Sequence, residues 1–277
     1  MKQTPFFSIV IPTLNEERDL PHLLADIQKQ KPERVEILVA DANSTDKTKN
    51  ILRKASTQLL LQVLQTKKRN VSHQRNLGAK SARGKYILFL DADSRLPPQF
   101  FKKLENFITN NKGFLYCLRM STTEKKNEYV FLLEIGNMVI DFFNKVGKPF
   151  AAGTGIVVHR ELFYDLGGFD ETLKLSEDHD FVQRARKAGM RLCIPNEPTL
   201  HFSFRRPERI GYIRFLMQFL IVGAYTLTGT EIKKNIFDYP MGGTLYSQSL
   251  TSDFPFKIGT LRKRFFRALK FLFEGTQ

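Results

Sequence analysis

Tyr86-Ile-Leu-Phe-Leu-Asp91-Ala-Asp93 is the stretch of sequence that decides the fold. A continuous run of apolar and aromatic residues is typical of a strand buried on both faces of a sheet. Because side chains at i and i+2 of an extended segment point the same way, the carboxylates of Asp91 and Asp93 can face one ligand just beyond the strand. Open parallel sheets bind their ligands at that end.

Three more apolar runs, Phe7–Ile11, Val35–Ala40 and Leu59–Leu64, have the character of strands. Segments that read as helical separate the four runs, around Leu20–Ile27, Asp46–Ala55 and Ser72–Ala82. Strands that alternate with helices predict an α/β fold, with a mostly parallel sheet flanked by helices. No glycine-rich GxGxxG or GxxxxGK[ST] motif is present, which argues against a dinucleotide-dependent dehydrogenase and a P-loop enzyme.

The second half of the chain is less regular. Helices are predicted at Asn127–Asn144 and after Ser176, with a glycine-rich stretch at Gly147–Gly155 between them. Arg214 interrupts the apolar segment Ile210–Thr230, and the uncharged part that remains is shorter than the ~20 residues that span a bilayer. We predict a catalytic domain over residues 1–205 and a helical, basic, amphipathic extension near a membrane over residues 206–277.

The charge of the chain favours polyanionic partners. Its 277 residues contain 43 Lys and Arg against 28 Asp and Glu, a formal charge of +15. Phosphorylated small molecules, anionic lipid and nucleic acid all fit such a charge, but no nucleic-acid-binding module is recognisable, so nucleic acid is not a predicted partner. Neither cysteine belongs to a CxxC pair and no leader segment is visible, so a cytoplasmic location is expected.

Further polar residues are expected at the same edge of the sheet as Asp91. Asp41 directly follows the second strand and Glu16 follows the first, while Arg75 lies on the helix before the Asp91 strand. Two converging carboxylates suit Mg²⁺ or Mn²⁺, with water and a diphosphate completing the coordination. Alternatively, these aspartates form turns and cap helices.

Glu177 and Asp178 form a second acidic pair, at the start of a predicted helix. The helix dipole favours acidic residues there without any catalytic task. The competing interpretation is a general base beside a reacting sugar, which requires one carboxylate with a raised proton affinity and a neighbour that orients it.

Five motifs in order resemble family-2 glycosyltransferases of the GT-A fold: Ser8–Glu17, Asp41–Asp46, Arg75–Ala79, Gly84–Asp93 and Gly167–Asp178. The resemblance covers about Phe7 to Cys193. It implies an inverting transfer of a sugar from a nucleotide-diphosphate sugar to a hydroxyl or phosphate acceptor, by a metal-dependent hexosyltransferase.

The resemblance also implies a donor site. Pro12, Thr13 and Glu16 would line the nucleoside pocket, Asp41 would contact the base, and Arg75 would lie near the nucleotide.

The remaining donor and metal roles come from the aspartate motif and from the segment His201–Arg209. Ala92 and Asp93 would approach the ribose and diphosphate, and Asp91 and Asp93 would bind the metal. His201 is a candidate third metal ligand. Arg205 and Arg206 are candidate diphosphate ligands because Arg suits bidentate contact with phosphate.

On the acceptor side, the resemblance makes Asp178 the catalytic base and gives Glu177 the task of positioning the base or the acceptor. The stretch Gly153-Thr154-Gly155 would border the donor sugar and the acceptor. Polymer-making relatives carry a Gln-x-x-Arg-Trp motif, and a chain without Trp lacks it, so a non-processive enzyme is predicted.

The basic segment Lys257–Phe273 places its apolar residues on one helical stripe, and residues 257–277 carry six basic groups and one acidic group. This pattern favours an interfacial helix on anionic lipid, at the inner face of the cell membrane. The alternative is packing on the catalytic domain or on a second subunit. With a membrane contact, a lipid-linked or membrane-surface acceptor would follow.

Two other functions fit parts of the sequence. A sugar-phosphate nucleotidyltransferase also uses acidic metal sites beside a parallel sheet, but it would usually carry a glycine-rich phosphate loop where this chain has Leu14-Asn-Glu-Glu. A non-enzymatic polyanion-binding protein would explain the charge alone.

Overall fold

The computed structural model describes residues 4–228. Its strands are β1 (Phe7–Thr13), β2 (Val35–Asp41), β3 (Leu61–Gln65), β4 (Tyr86–Phe89), β5 (Leu115–Cys117), β6 (Met120–Ser121), β7 (Ile156–His159), β8 (Leu192–Cys193) and β9 (Leu200–His201). Its helices are α1 (Leu20–Gln30), α2 (Thr48–Ala55), α3 (Val71–Lys80), α4 (Phe100–Asn111), α5 (Asn127–Lys145), α6 (Arg160–Asp165), α7 (Glu177–Lys187), α8 (Arg205–Ile210) and α9 (Tyr212–Thr228).

Seven strands form the main sheet in the order β3-β2-β1-β4-β7-β5-β8. The first four in this order are parallel, β7 is antiparallel to both its neighbours, and β5 and β8 are parallel again. Strands β6 and β9 pair separately. This architecture confirms the predicted α/β fold with a mostly parallel sheet flanked by helices.

Alternate side chains of the central strands enter two different cores. On one face, Ile9 and Leu88 pack with apolar residues of α1 and α4. On the other face, Val10 and Phe89 pack with residues of α3, α6 and α7. Because both faces are covered, the central strands are mostly apolar, apart from the buried pair Ser8 and Glu36, and further polar side chains collect where the strands end.

Helix α3 is tied directly to those strand ends. The buried side-chain amide of Gln74 donates hydrogen bonds to the carbonyl oxygens of Thr13, at 2.9 Å, and Ala40, at 2.7 Å. These bonds fix the neighbouring residue, Arg75, beside the carboxyl edge of the sheet.

The predicted boundary between residues 205 and 206 falls inside α8, and α9 packs against α5. Within residues 4–228, none of the helices combines the length and the apolarity needed to cross a membrane. The predicted basic helix Lys257–Phe273 lies outside the described residues.

Candidate active site

A cavity of about 560 Å³ opens at the carboxyl ends of β1 and β4. Nearly all the residues singled out in the sequence line it: Pro12, Thr13, Glu16, Arg75, Asp91, Ala92, Asp93, Gly153, Thr154, Glu177, Asp178, His201, Arg205 and Arg206. Residues more than 160 positions apart in the chain therefore meet in one place.

Arg75 connects the two acidic groups of the cavity. Its Nη2 donates to Oδ1 of Asp91 at 3.0 Å, and its Nη1 donates to Oε1 of Glu177 at 2.7 Å. The side chain is only 3% exposed. Burial alone would lower the pKa of Arg75, but the neighbouring carboxylates outweigh this effect and raise it, so the guanidinium stays charged. It thereby locks the aspartate motif to the start of α7.

The glycine-rich stretch passes close to this arginine. A Cβ atom at Gly153 would lie 2.8 Å from Nη2 of Arg75, well inside van der Waals contact. The next residue, Thr154, accepts a hydrogen bond from the backbone N–H of Asp91 at 3.0 Å and lies 2.9 Å from Oγ of Ser94. The stretch therefore holds both Arg75 and the aspartate motif in position.

Gly153→Ala is expected to lower the catalytic rate by about ten- to a hundredfold, because an added methyl group displaces the guanidinium that pairs with Asp91 and Glu177. Initial reaction rates measure the effect. Gly136→Ala is the matched control, since a Cβ there on α5 meets nothing within 4 Å; it should retain activity and stabilise the helix slightly. Equal rates for the two variants would contradict the role assigned to Gly153.

Arg205 forms ion pairs with several carboxylates at the opposite side of the cavity. Its Nη atoms donate to both carboxylate oxygens of Glu16, at 2.7 and 3.0 Å, and to Oδ2 of Asp19 at 3.0 Å, while Nε lies 2.8 Å from Oδ2 of Asp93. Burial raises the pKa of Glu16 to about 7, even though Arg205 opposes the shift. The pKa of Asp93 is likewise raised, mainly by burial.

Arg206 provides a second guanidinium that lines the cavity. Burial lowers its pKa to about 10, so it is still protonated at neutral pH. A buried cation near Asp91 and Asp93 has the chemistry to contact a diphosphate; this role stays a prediction for both arginines.

Asp178 lies in the first turn of α7 and its Oδ1 accepts the backbone N–H of His179 at 2.8 Å. Burial raises the pKa of Asp178 to about 6 and lowers the pKa of His179 to about 4. At neutral pH, Asp178 is therefore an ionised carboxylate with increased basicity beside a neutral imidazole. Glu177 also has a raised pKa because of burial, but its carboxylate is held by Arg75.

The predicted metal ligands do not form a complete site. In residues 4–228, no three or more His, Cys, Asp or Glu side chains are grouped so as to hold a metal ion. Nδ1 of His201 lies 2.9 Å from Oγ of Ser121. Asp91 and Asp93 nevertheless offer the hard oxygen donors that Mg²⁺ and Mn²⁺ prefer, so a cation here would take further ligands from a diphosphate and water.

Asp41 and Gly155 do not line the cavity. Asp41 is fully buried and accepts hydrogen bonds from the backbone and hydroxyl of Ser44. Gly155 has a φ of +83°, and a Cβ there would meet Leu118 and Leu200. Both residues shape the loops that carry the site.

Some of the residues that line the cavity were not identified from the sequence. Phe150 and four residues of α9 line the cavity: Phe215, Gln218, Phe219 and Val222. Their i, i+3, i+4, i+7 spacing was the signal that could have revealed them.

Known proteins resemble this chain over most of its described length. An uncharacterised glycosyltransferase of Haemophilus influenzae is 25% identical over 206 residues, which cover 71% of this chain and 68% of that protein. The poly(ribitol-phosphate) beta-N-acetylglucosaminyltransferase TarS of Staphylococcus aureus is 23% identical, and the match spans only 36% of TarS.

Solved structures share the fold. TarS residues 1–349 in complex with UDP-GlcNAc superimpose with a TM-score of 0.58 at 23% identity, covering 71% of this chain and 58% of that one. The mannosyltransferase PcManGT of Pyrobaculum calidifontis, in complex with GDP-Man and Mn²⁺, gives 0.65 at 21% identity, with coverage of 82% and 64%. These neighbours are GT-A glycosyltransferases with bound nucleotide sugars, and they match the mostly parallel sheet described above.

The family match covers Glu16, Arg75, Asp91 and Asp93 of the cavity and ends before Glu177. Residues 8–167, more than half of the chain, match the description "Glycosyl transferase family 2". They include β1, α3, the aspartate motif after β4, and the stretch at Gly153. The chain belongs to glycosyl transferase family 2.

Proposed function

We propose that this chain is an inverting, metal-dependent, non-processive glycosyltransferase that uses a UDP- or GDP-sugar. The observation that carries the proposal is the bridge made by Arg75, which joins Asp91 at 3.0 Å to Glu177 at 2.7 Å. Through this single side chain, the end of β4 is connected to α7, the helix that carries Asp178.

The charged side of the cavity fits a nucleotide diphosphate. Pro12, Thr13 and Glu16 form the part next to β1, and Arg205 and Arg206 supply cations for phosphate oxygens. A divalent metal held by Asp91 and Asp93 would neutralise charge that develops on the departing nucleoside diphosphate. The arginines stabilise the same charge by direct contact.

Asp178 performs the proton transfer. Its carboxylate takes the proton of an acceptor hydroxyl as that oxygen attacks the anomeric carbon, on the face opposite the leaving group. The bond between the anomeric carbon and the diphosphate oxygen breaks, its electron pair leaves with the diphosphate, and the configuration inverts. Glu177 is held by Arg75 and so orients the start of α7. A phosphate acceptor, already ionised, would need Asp178 only for orientation.

The acceptor and the location extend the proposal. We infer a lipid-linked or membrane-surface acceptor at the cytoplasmic face of the cell membrane. The six basic residues in 257–277 support this inference, as do the exposed apolar side chains of Met217, Leu220 and Ile221 on α9.

A donor panel tests the function with the purified full-length chain. UDP-glucose, UDP-GlcNAc, UDP-galactose and GDP-mannose are each incubated with Mg²⁺ or Mn²⁺, with and without membrane extract, and nucleoside-diphosphate release is measured. We expect release from one donor class, an increase with extract, and loss of release with EDTA. Formation of pyrophosphate from a nucleoside triphosphate and a sugar 1-phosphate, without nucleoside-diphosphate release, would instead identify a nucleotidyltransferase.

A further inference from the structure

The cavity has a wall whose chemistry differs from that of the strand ends. Phe215, Phe219 and Val222 of α9 line it, and Phe150 lies next to them. Phe219 meets Phe150 edge to face with ring centroids 5.2 Å apart, and Phe150 lies 3.7 Å from the ring of His179. Apolar side chains thus continue from α9 through Phe150 to His179, the neighbour of Asp178. Helix α9 itself lies beyond the family match at residues 8–167.

One polar residue interrupts this wall. Gln218 is 8% exposed and lines the cavity. Within residues 4–228, its side-chain amide makes no hydrogen bond, and it is not one of the fully buried polar groups that lack a partner. The amide therefore faces the cavity, where it can exchange hydrogen bonds to water for hydrogen bonds to a bound molecule. Its two donors and its carbonyl oxygen are available for this.

The two sides of the cavity favour different parts of a substrate pair. Glu16, Asp91, Asp93 and the two arginines form the charged side, which suits a nucleotide diphosphate and a cation. The α9 side has no charged residue among its lining side chains, Phe215, Gln218, Phe219 and Val222. A diphosphate would lose hydration there without compensation, whereas hydrocarbon would be stabilised by burial.

The outer face of α9 is apolar as well after the exposed Arg214. Met217, Leu220 and Ile221 are 53%, 39% and 40% exposed. They alternate along the helix with the cavity-lining residues, so α9 presents apolar side chains both to the cavity and to the outside. A soluble helix is normally polar on its exposed face. The apolar character of the cavity wall thus continues onto the surface at the same helix.

We propose that Gln218 and the apolar residues of α9 form the acceptor subsite, which takes an amphipathic acceptor. Gln218 would bind hydroxyl or phosphate oxygens of its head group, and its hydrocarbon portion would lie along Phe215, Phe219 and Val222. This assignment rests on the proposed function, since it places the head group beside Asp178.

Alkyl β-D-glucosides test the subsite, because the head group stays constant while the hydrocarbon grows. Binding of the butyl, hexyl and octyl compounds to the full-length protein with UDP or GDP and Mg²⁺ is measured by calorimetry, below the concentrations at which they form micelles. We expect affinity to rise by about two- to fourfold for each added CH₂. An affinity that does not depend on alkyl length would overturn the proposal.

Variants of neighbouring residues separate the two parts of the subsite. Phe219→Ala should reduce the dependence of the affinity on alkyl length, whereas Leu220→Ala, on the outer face, should leave this dependence unchanged. Gln218→Leu should weaken all three compounds by a similar factor, about three- to tenfold. Equal effects of Phe219→Ala and Leu220→Ala, or unchanged binding in Gln218→Leu, would contradict the assignment.

Phe219→Trp keeps an aromatic wall if the alanine variant does not fold. It introduces the only tryptophan of the chain, so a saturable fluorescence change with octyl glucoside, and none with glucose, is expected. The same response to both compounds would count against an apolar subsite.

Binding is measured without turnover, so the result is separable from the proposed function. An affinity that rises with alkyl length, without nucleoside-diphosphate release from any donor, would reject only the function. Nucleoside-diphosphate release with an affinity that does not depend on alkyl length would reject only the subsite.

Discussion

Asp178→Asn is expected to lower sugar transfer by about a thousandfold and to leave nucleotide binding within about threefold of the unmodified protein. The amide preserves the size of the side chain but cannot accept the proton of the acceptor. The proposed donor contacts involve residues of β1 and α8 and residues that follow β4, so they should persist. Nucleoside-diphosphate release gives the rate, and calorimetry with UDP or GDP gives the affinity.

Asp180→Asn is the matched control for this variant. Asp180 also lies in the first turn of α7, but it pairs with Arg184 at 2.8 Å and is not among the residues that line the cavity. Its rate should stay within a few-fold of the unmodified enzyme. An Asp178→Asn variant with more than a tenth of the original rate would rule out Asp178 as the base for a hydroxyl acceptor.

The dependence of the rate on pH provides a second test of Asp178 as the base. Because the pKa of Asp178 is about 6, the rate should fall about tenfold per pH unit below pH 6. The residual activity of Asp178→Asn should decline less steeply, because the acidic residues left in the cavity with raised pKa values are Glu16, Asp93 and Glu177.

Unfolding at low pH is favoured by His179 rather than by Asp178. Burial lowers the pKa of His179 to about 4, so the unfolded state, with a pKa near 6.5, binds the proton more tightly and stability falls as the pH drops below that value. A carboxyl group whose pKa is raised by folding, such as Asp178, binds its proton more tightly in the folded state, so its protonation does not favour unfolding. Asp26 and Glu36 have pKa values lowered by their hydrogen bonds to arginine and other donors, which outweigh the effect of burial. Their stabilising contribution is lost only as the pH falls below the unfolded values near 4 and through the folded ones. The melting temperature between pH 5 and pH 7 provides the check.

The sequence predicted the part of the fold whose signals are local. The apolar runs at Phe7–Ile11 and Val35–Ala40 became β1 and β2, each extended toward its polar end. Strand β1 pairs in parallel with β2 on one side and with β4 on the other, which brings the carboxyl ends of all three strands to one edge. For this reason the aspartate motif and Glu16 could be assigned to one site from sequence alone.

Other features depend on contacts that periodicity does not encode. Strand β7 has only four residues after a glycine-rich stretch, and its antiparallel insertion between β4 and β5 is set by tertiary packing. Asp41 follows a strand, as a ligand-binding residue would, yet its side chain bonds Ser44. Arg75 and Glu177 are 102 positions apart in the chain, so no local pattern could reveal their ion pair.

Asp93→Asn is expected to lower transfer by about a hundred- to a thousandfold and to remove its dependence on Mg²⁺ or Mn²⁺. Asp93 supplies one of the two carboxylates that can face a cation after β4, and an amide binds a hard divalent ion much less strongly. Metal titrations of the initial rate measure the effect. Thermal melting with Mn²⁺ and UDP or GDP should show stabilisation of the unmodified protein and much less of the variant.

Asp19→Asn separates loss of the cation site from disturbance of Arg205. Asp19 and Asp93 both pair with Arg205, at 3.0 and 2.8 Å, but only Asp93 lines the cavity. If Asp93 acts by facing the cation, Asp19→Asn should stay within about threefold of the original rate and respond normally to metal. If Asp93 serves only to hold Arg205, both variants should lose similar activity and both should still respond to Mn²⁺. The metal titration therefore discriminates between the two roles even where the rates alone would not.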